Sequence, residues 1–117
     1  MWWGSFVDIQ FSTNQLRKVC NDTKKLTRKW GVKQAKKLRR RLDELHAAPN
    51  LEAMRQLPGH CHELNGNREG QLSVDLVHPY RLIFEPASSP APSKPDGGLD
   101  WGAVTAIRVL GVVDTHA

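Results

Sequence analysis

LSVDLVHPYRLIFEP, residues 72–86, decides the fold. Leu72, Val74 and Leu76 alternate with Ser73 and Asp75, the period-two pattern of a strand with one apolar face. His78-Pro79 breaks the pattern, since proline brings no N–H to a ladder. It resumes with Tyr80, Leu82 and Phe84 on one side and Arg81, Ile83 and Glu85 on the other. Upstream, residues 61–64 form a further strand ahead of the turn-rich NGNREG at 65–70, and residues 51–57 form a short helical turn ended by Pro58-Gly59. Downstream, residues 86–98 include ASSPAPSKPDGG, rich in Ser, Pro and Gly, and read as a flexible loop. AVTAIRVLGVV at 103–113 is apolar on both alternating faces except at Thr105 and Arg108, as in a central strand covered on much of both sides.

The chain opens with Val7, Ile9 and Phe11 alternating with Asp8 and Gln10, another strand. Ser12, Thr13 and Asn14 offer cap oxygens for a helix whose apolar stripe is Leu16, Val19, Cys20, Thr23, Leu26 and Trp30. Gly31 is placed to end it. A second helix carries Ala35, Leu38, Leu42 and Leu45 on one face and stops before Pro49. The expected architecture is therefore α+β: a small, mostly antiparallel sheet with a helical hairpin on one face, in the order β-α-α-β-β-β. One domain spans residues 1–117.

Composition narrows the class. Hydrophobic residues make up 39% and charged residues 25% of 117, an ordinary globular balance. No apolar run approaches the roughly 20 residues of a membrane span, and MWWGSFVDIQ lacks the pattern of a signal peptide. A cytoplasmic protein without a membrane partner is expected, and Cys20 and Cys61 fit that as buried free thiols. The net charge of +5 is concentrated. Between Arg17 and Arg41 lie twelve Lys or Arg and one acid, Asp22, whereas the part from Pro49 onward is mildly acidic. A solvated helix face is one reading of such a run; a polyanion or acidic protein partner suits twelve cations and one acid better.

HELNGNREGQLSVDLVHPYRLIFEP at 62–86, the basic hairpin before it and the ending GVVDTHA at 111–117 together resemble the HigB branch of the RelE/ParE toxins. The resemblance covers nearly the whole chain from Val7. It implies the toxin of a type II toxin–antitoxin pair: a ribosome-dependent mRNA endonuclease, held inactive by a small helix-turn-helix antitoxin and needing no cofactor or metal. Cleavage would use the RNA's own 2′-hydroxyl, which also makes RNA and not DNA the substrate. Two other readings stay open: an inhibitor of DNA gyrase, as in the ParE branch, and a non-toxic remnant that only binds its antitoxin.

Such a reaction needs a proton acceptor, a group stabilising charge on phosphorus and a proton donor. Arg81 matches the family's arginine, and its fork suits a phosphate. The structural alternative is an arginine paired with Glu85. His116 and Asp114 match the family's Asp-Tyr-His ending, but Thr115 stands where Tyr is usual and can neither stack on a base nor give a phenolic proton. His62 matches the His of His-x-Leu-x-Gly, and Arg68 resembles a substrate-side cation. His60-Cys61-His62 directs only two ligands to one side of a strand, so no metal is expected. Lys24, Lys25, Lys36, Lys37, Arg40 and Arg41 are expected to hold RNA phosphates. Trp2, Trp3 and Trp101 are candidates for base stacking or for packing, and Trp30 for the core.

Overall fold

A computed structural model of the chain describes residues 6–114. The architecture is α+β, as the patterning implies, and each of the five strand segments read from the sequence holds a strand, one more than the order β-α-α-β-β-β counts. The elements are β1 (Asp8–Phe11), α1 (Asn14–Cys20), α2 (Thr23–Ala47), β2 (His62–Glu63), β3 (Leu72–Asp75), β4 (Tyr80–Pro86) and β5 (Ala106–Asp114). They form one sheet in the order β1-β5-β4-β3-β2. β1 runs parallel to β5 and every other pair is antiparallel.

The helices start where side-chain oxygens meet orphan N–H groups. Thr13 accepts from the Leu16 amide at 3.0 Å. Asp22 accepts from the amides of Lys24 and Lys25 at 2.9 and 3.2 Å. This second cap divides the first expected helix in two, a break that the apolar stripe conceals because Val19, Cys20 and Leu26 keep helical spacing across it. Gly31 adopts a non-helical φ 82° and ψ 164°, so α2 is two helical segments meeting at a kink, with the first ending at this glycine as expected. The C-terminal end falls at Ala47, ahead of Pro49 as expected.

Leu26, Leu38, Leu42 and Leu45 of α2 bury against Leu72, Val74, Leu82, Phe84, Ile107 and Val109 of the sheet. Full burial of one such side chain contributes about 1.5–3 kcal/mol. Trp30 is partly buried against this core, with the Lys29 ammonium 5.0 Å from its ring centroid. β5 departs from the expectation of two covered faces: only Ile107 and Val109 are buried and the rest of the strand is half-buried. The 86–98 segment carries structure of its own, with a bridge between Ser93 and Leu99 and a turn closed by the Lys94 amide on the Gly98 carbonyl at 2.7 Å. Trp101 follows it and is buried. Its Nε1 donates to Glu63 at 2.9 Å and the Arg55 guanidinium lies 3.7 Å from its ring. Packing, not base stacking, is its role.

Both cysteines are free thiols, Cys20 buried and Cys61 half-buried. Burial pushes Cys20 up to about 11, with Arg39 and Lys29 pulling it partly back. It pushes Cys61 up to about 12 against a smaller pull from Arg55. Above pH 9 the unfolded thiols lose protons that the folded ones keep, so this contribution to stability falls as pH rises towards 12. We expect iodoacetamide to modify the native protein slowly at pH 8 and the urea-unfolded chain quickly. Cys61→Ala should lose less stability than the parent between pH 8 and pH 10.5. An equal loss in the two proteins would refute the assignment for that thiol.

Candidate nucleic-acid interface

The site is built where β3 ends, the chain turns at Val77–Pro79 and β4 begins. Two buried polar side chains of α2 fasten this turn to the helix. Gln34 accepts from the Val77 amide at 2.8 Å and donates to the Val77 carbonyl at 3.4 Å. Arg41 donates through Nε to the Asp75 carbonyl at 2.8 Å. Gln34 and Arg41 are 7% and 5% exposed, so neither is available to a partner. This corrects the expectation that Arg41 holds RNA: its guanidinium is spent on Asp75 and on Glu44, 2.9 Å away.

Fastening the turn brings one face of α2 beside it. Lys33, Lys36, Lys37 and Arg40 recur at helical spacing and project along a groove of about 470 Å³, floored by Leu76 and Val77 and edged by His78. Among the described residues none of the four has an acidic partner. Lys24 and Lys25 are exposed on the first turn of α2 but do not line this groove.

On the sheet, Arg81 is half-buried and leans across β3. Its Nη1 lies 3.4 Å from both the Ser73 hydroxyl and Nε2 of His62, and its Nε lies 3.5 Å from Oδ1 of Asp75. Those contacts are long for hydrogen bonds, and Asp75 Oδ1 is buried without hydrogen-bond geometry to any donor among the described residues. The alternative pairing with Glu85 does not occur, because Glu85 bonds Arg108 at 2.8 Å. Nδ1 of His62 lies 2.9 Å from the His60 carbonyl, which can only accept. The Arg81 N–H can only donate. A proton on Nδ1, with Nε2 turned towards Arg81, is the arrangement that suits both partners.

The structure thus unites Arg81 with His62 and separates other members of the expected set. Asp114 pairs with Tyr80 in the ladder, whereas Arg81 pairs with Val113. Alternation then puts Asp114 on the opposite face from Arg81, correcting their expected convergence. Arg68 is engaged in its own turn, donating to Gln71 at 3.2 Å. His116, Thr115, Trp2 and Trp3 lie outside the described residues. The His60 and His62 rings stack 4.6 Å apart.

Ser73, Asp75 and Tyr80 carry no site signal in the sequence. Tyr80 shares its alternation with Leu82 and Phe84, which implies packing, yet it is 41% exposed at the strand's start. A second, smaller cavity of about 80 Å³ joins Arg81, Asp75 and Tyr80 to His78, which therefore borders both hollows. The only sequence signal for this was the His-Pro break directly before Tyr-Arg.

Comparison with protein-family models, with curated proteins and with solved structures returns no match to this chain. What the fold and site define is a small α+β protein with a cationic helix groove leading to an arginine–histidine pair. No described helix is long and apolar enough to cross a membrane.

Proposed function

We propose that this chain is the toxin of a type II toxin–antitoxin pair, a metal-independent endoribonuclease of the HigB-like kind acting on mRNA at the ribosome in the cytoplasm. The observation that carries the reading is the approach of Arg81 to Nε2 of His62 beside a groove of four cations with no acidic partner among the described residues. Nε2 of His62 takes the 2′-hydroxyl proton as that oxygen attacks the neighbouring phosphorus. The Arg81 fork stabilises the charge gathering on the phosphate oxygens. The contacts Arg81 gives up to do so are long, so releasing them costs little. Lys33, Lys36, Lys37 and Arg40 hold the RNA backbone without reading its sequence. A helix-turn-helix antitoxin is the proposed partner that neutralises it.

Induced expression tests the reading: growth should stop, and primer extension should show new mRNA 5′ ends within reading frames. Supercoiling defects without such ends would replace it with gyrase inhibition, and undisturbed growth would leave a remnant.

The groove makes a separate prediction. Replacing Lys33, Lys36, Lys37 and Arg40 together by Gln should weaken binding of a short single-stranded RNA. It should also flatten the plot of log affinity against log salt by about 3, at roughly 0.7 for each phosphate contact. Fluorescence anisotropy across salt concentrations measures both. Changing Lys24 and Lys25 instead should alter the slope less. If those two lysines alter it more, the backbone runs elsewhere.

A further inference from the structure

We propose that His78 delivers the proton to the leaving 5′-oxygen, making it the second proton-transfer group of the site; this rests on the ribonuclease reading above. In the reaction the 2′-oxygen–phosphorus bond forms and the phosphorus–5′-oxygen bond breaks. One proton leaves the 2′-hydroxyl and one must reach the departing oxygen. The products are a 2′,3′-cyclic phosphate and a 5′-hydroxyl, with no water or redox partner consumed. His62 ends the step protonated and His78 deprotonated, and solvent restores both.

His62 cannot fill both roles at once. Its Nδ1 is committed to the His60 carbonyl, which leaves only the Nε2 side to face the RNA, and that side is the one that accepts the 2′-hydroxyl proton. It also approaches Arg81 from β2, whereas attacking and leaving oxygens lie roughly in line on opposite sides of phosphorus. The donor must come from elsewhere around the guanidinium. The small cavity there holds about 80 Å³, room for two to three waters at roughly 30 Å³ each, and so for a group of phosphate size. Of its lining residues Asp75, His78, Tyr80 and Arg81 carry exchangeable protons or charge. Asp75 serves Arg81 as a counter-ion, arginine stays protonated, and a phenol ordinarily holds its proton to about pH 10. Histidine is the side chain that gives up a proton near neutrality.

His78 is also placed for the task. It borders the cationic groove as well as the small cavity, so a backbone lying along Lys33, Lys36, Lys37 and Arg40 reaches Arg81 past this imidazole. The turn that carries it is fixed, because Gln34 engages both backbone groups of Val77. The charged and titratable groups around it are those four cations from α2, Asp75 from β3, Tyr80 and Arg81 from β4, and Asp114 opposite Tyr80 on β5.

A leaving group that needs no proton provides the test. Ribosomes programmed with an mRNA carrying one 5′-bridging phosphorothiolate at the cleaved linkage release a thiolate. Thiols ionise near pH 8.5, far below an alcohol, so the thiolate departs without a proton. On ordinary mRNA, His78→Ala should cleave about 10²–10⁴-fold more slowly than the parent, the range for one general acid. On the phosphorothiolate it should come within a few-fold of the parent, while His62→Gln stays slow on both. His78→Asn, which keeps a polar side chain at this exposed turn, should behave as His78→Ala does, with a melting transition that stays above the assay temperature. Equal slowing of His78→Ala on both substrates, or none on ordinary mRNA, overturns the proposal while leaving the ribonuclease reading intact. A parent that cleaves neither mRNA overturns both.

Discussion

Arg81→Ala should abolish growth arrest and reduce mRNA cleavage by about 10²–10³-fold, the usual effect of removing one donor aimed at developing negative charge. That corresponds to about 2.7–4 kcal/mol of transition-state stabilisation. The size of the loss is informative because the folded protein hardly depends on this side chain. Arg81 is 25% exposed, and its contacts to Ser73, His62 and Asp75 lie at 3.4, 3.4 and 3.5 Å. Deleting long, partly solvated contacts costs below about 1 kcal/mol, a few degrees in thermal midpoint. Arg81→Lys keeps the charge and loses the fork, so it should recover only part of the rate. Binding of a co-expressed antitoxin should survive in both variants. A fully toxic Arg81→Ala protein that still generates new mRNA ends would remove Arg81 from the chemistry. A fully toxic one with altered plasmid supercoiling would favour gyrase as the target.

The arginine was legible in sequence because strand alternation is a strong local rule: Leu82 and Phe84 had to face the helices, so Arg81 had to face away. The same rule misplaced its neighbours. Tyr80 keeps the phase of Leu82 yet is exposed at the strand's start, and local pattern carries no record of where covering ends. Asp114 was expected beside Arg81 from a resemblance in sequence order. The register, fixed by hydrogen bonds between distant segments, places it one residue out of phase. His78 has an adequate local explanation in sequence as part of the His-Pro pair that ends a strand; its place between two hollows depends on α2, more than thirty residues earlier. The break at Asp22 was hidden for the opposite reason, since a uniform apolar stripe can cover two helices that change direction together. Charge patterning identified the cationic helix but could not sort its members into those that face water and those that hold the fold.

Arg40 and Arg41 show that sorting at its sharpest, and Arg41→Ala is expected to be the most destabilising of the helix-cation substitutions. The Arg41 side chain is 6% exposed, and it joins the Glu44 carboxylate at 2.9 Å to the Asp75 carbonyl at 2.8 Å. Breaking a buried pair from one side costs about 3–5 kcal/mol because the remaining partners are left without donors. Glu44 is 20% exposed and regains some water, so about 2–4 kcal/mol is expected here. Gly59 adds to the loss, for it closes over the guanidinium: a Cβ there would meet Nε of Arg41 at 3.0 Å, at a backbone φ of +112°. Its carbonyl in turn accepts from the Asp75 amide at 2.7 Å, so helix, Gly59 turn and strand end are tied through one side chain. In a chain of this size the loss lowers the thermal midpoint by roughly 10 °C. Arg40→Ala, one residue away, removes an exposed cation with no acidic partner among the described residues and should change the midpoint by less than about 2 °C. Circular-dichroism melts of the two variants decide it. The RNA-binding salt slope should move the other way, falling for Arg40→Ala and holding for Arg41→Ala below its midpoint. If Arg41→Ala melts with the parent and loses a phosphate contact instead, the guanidinium faces RNA and the turn beneath His78 is held by Gln34 alone.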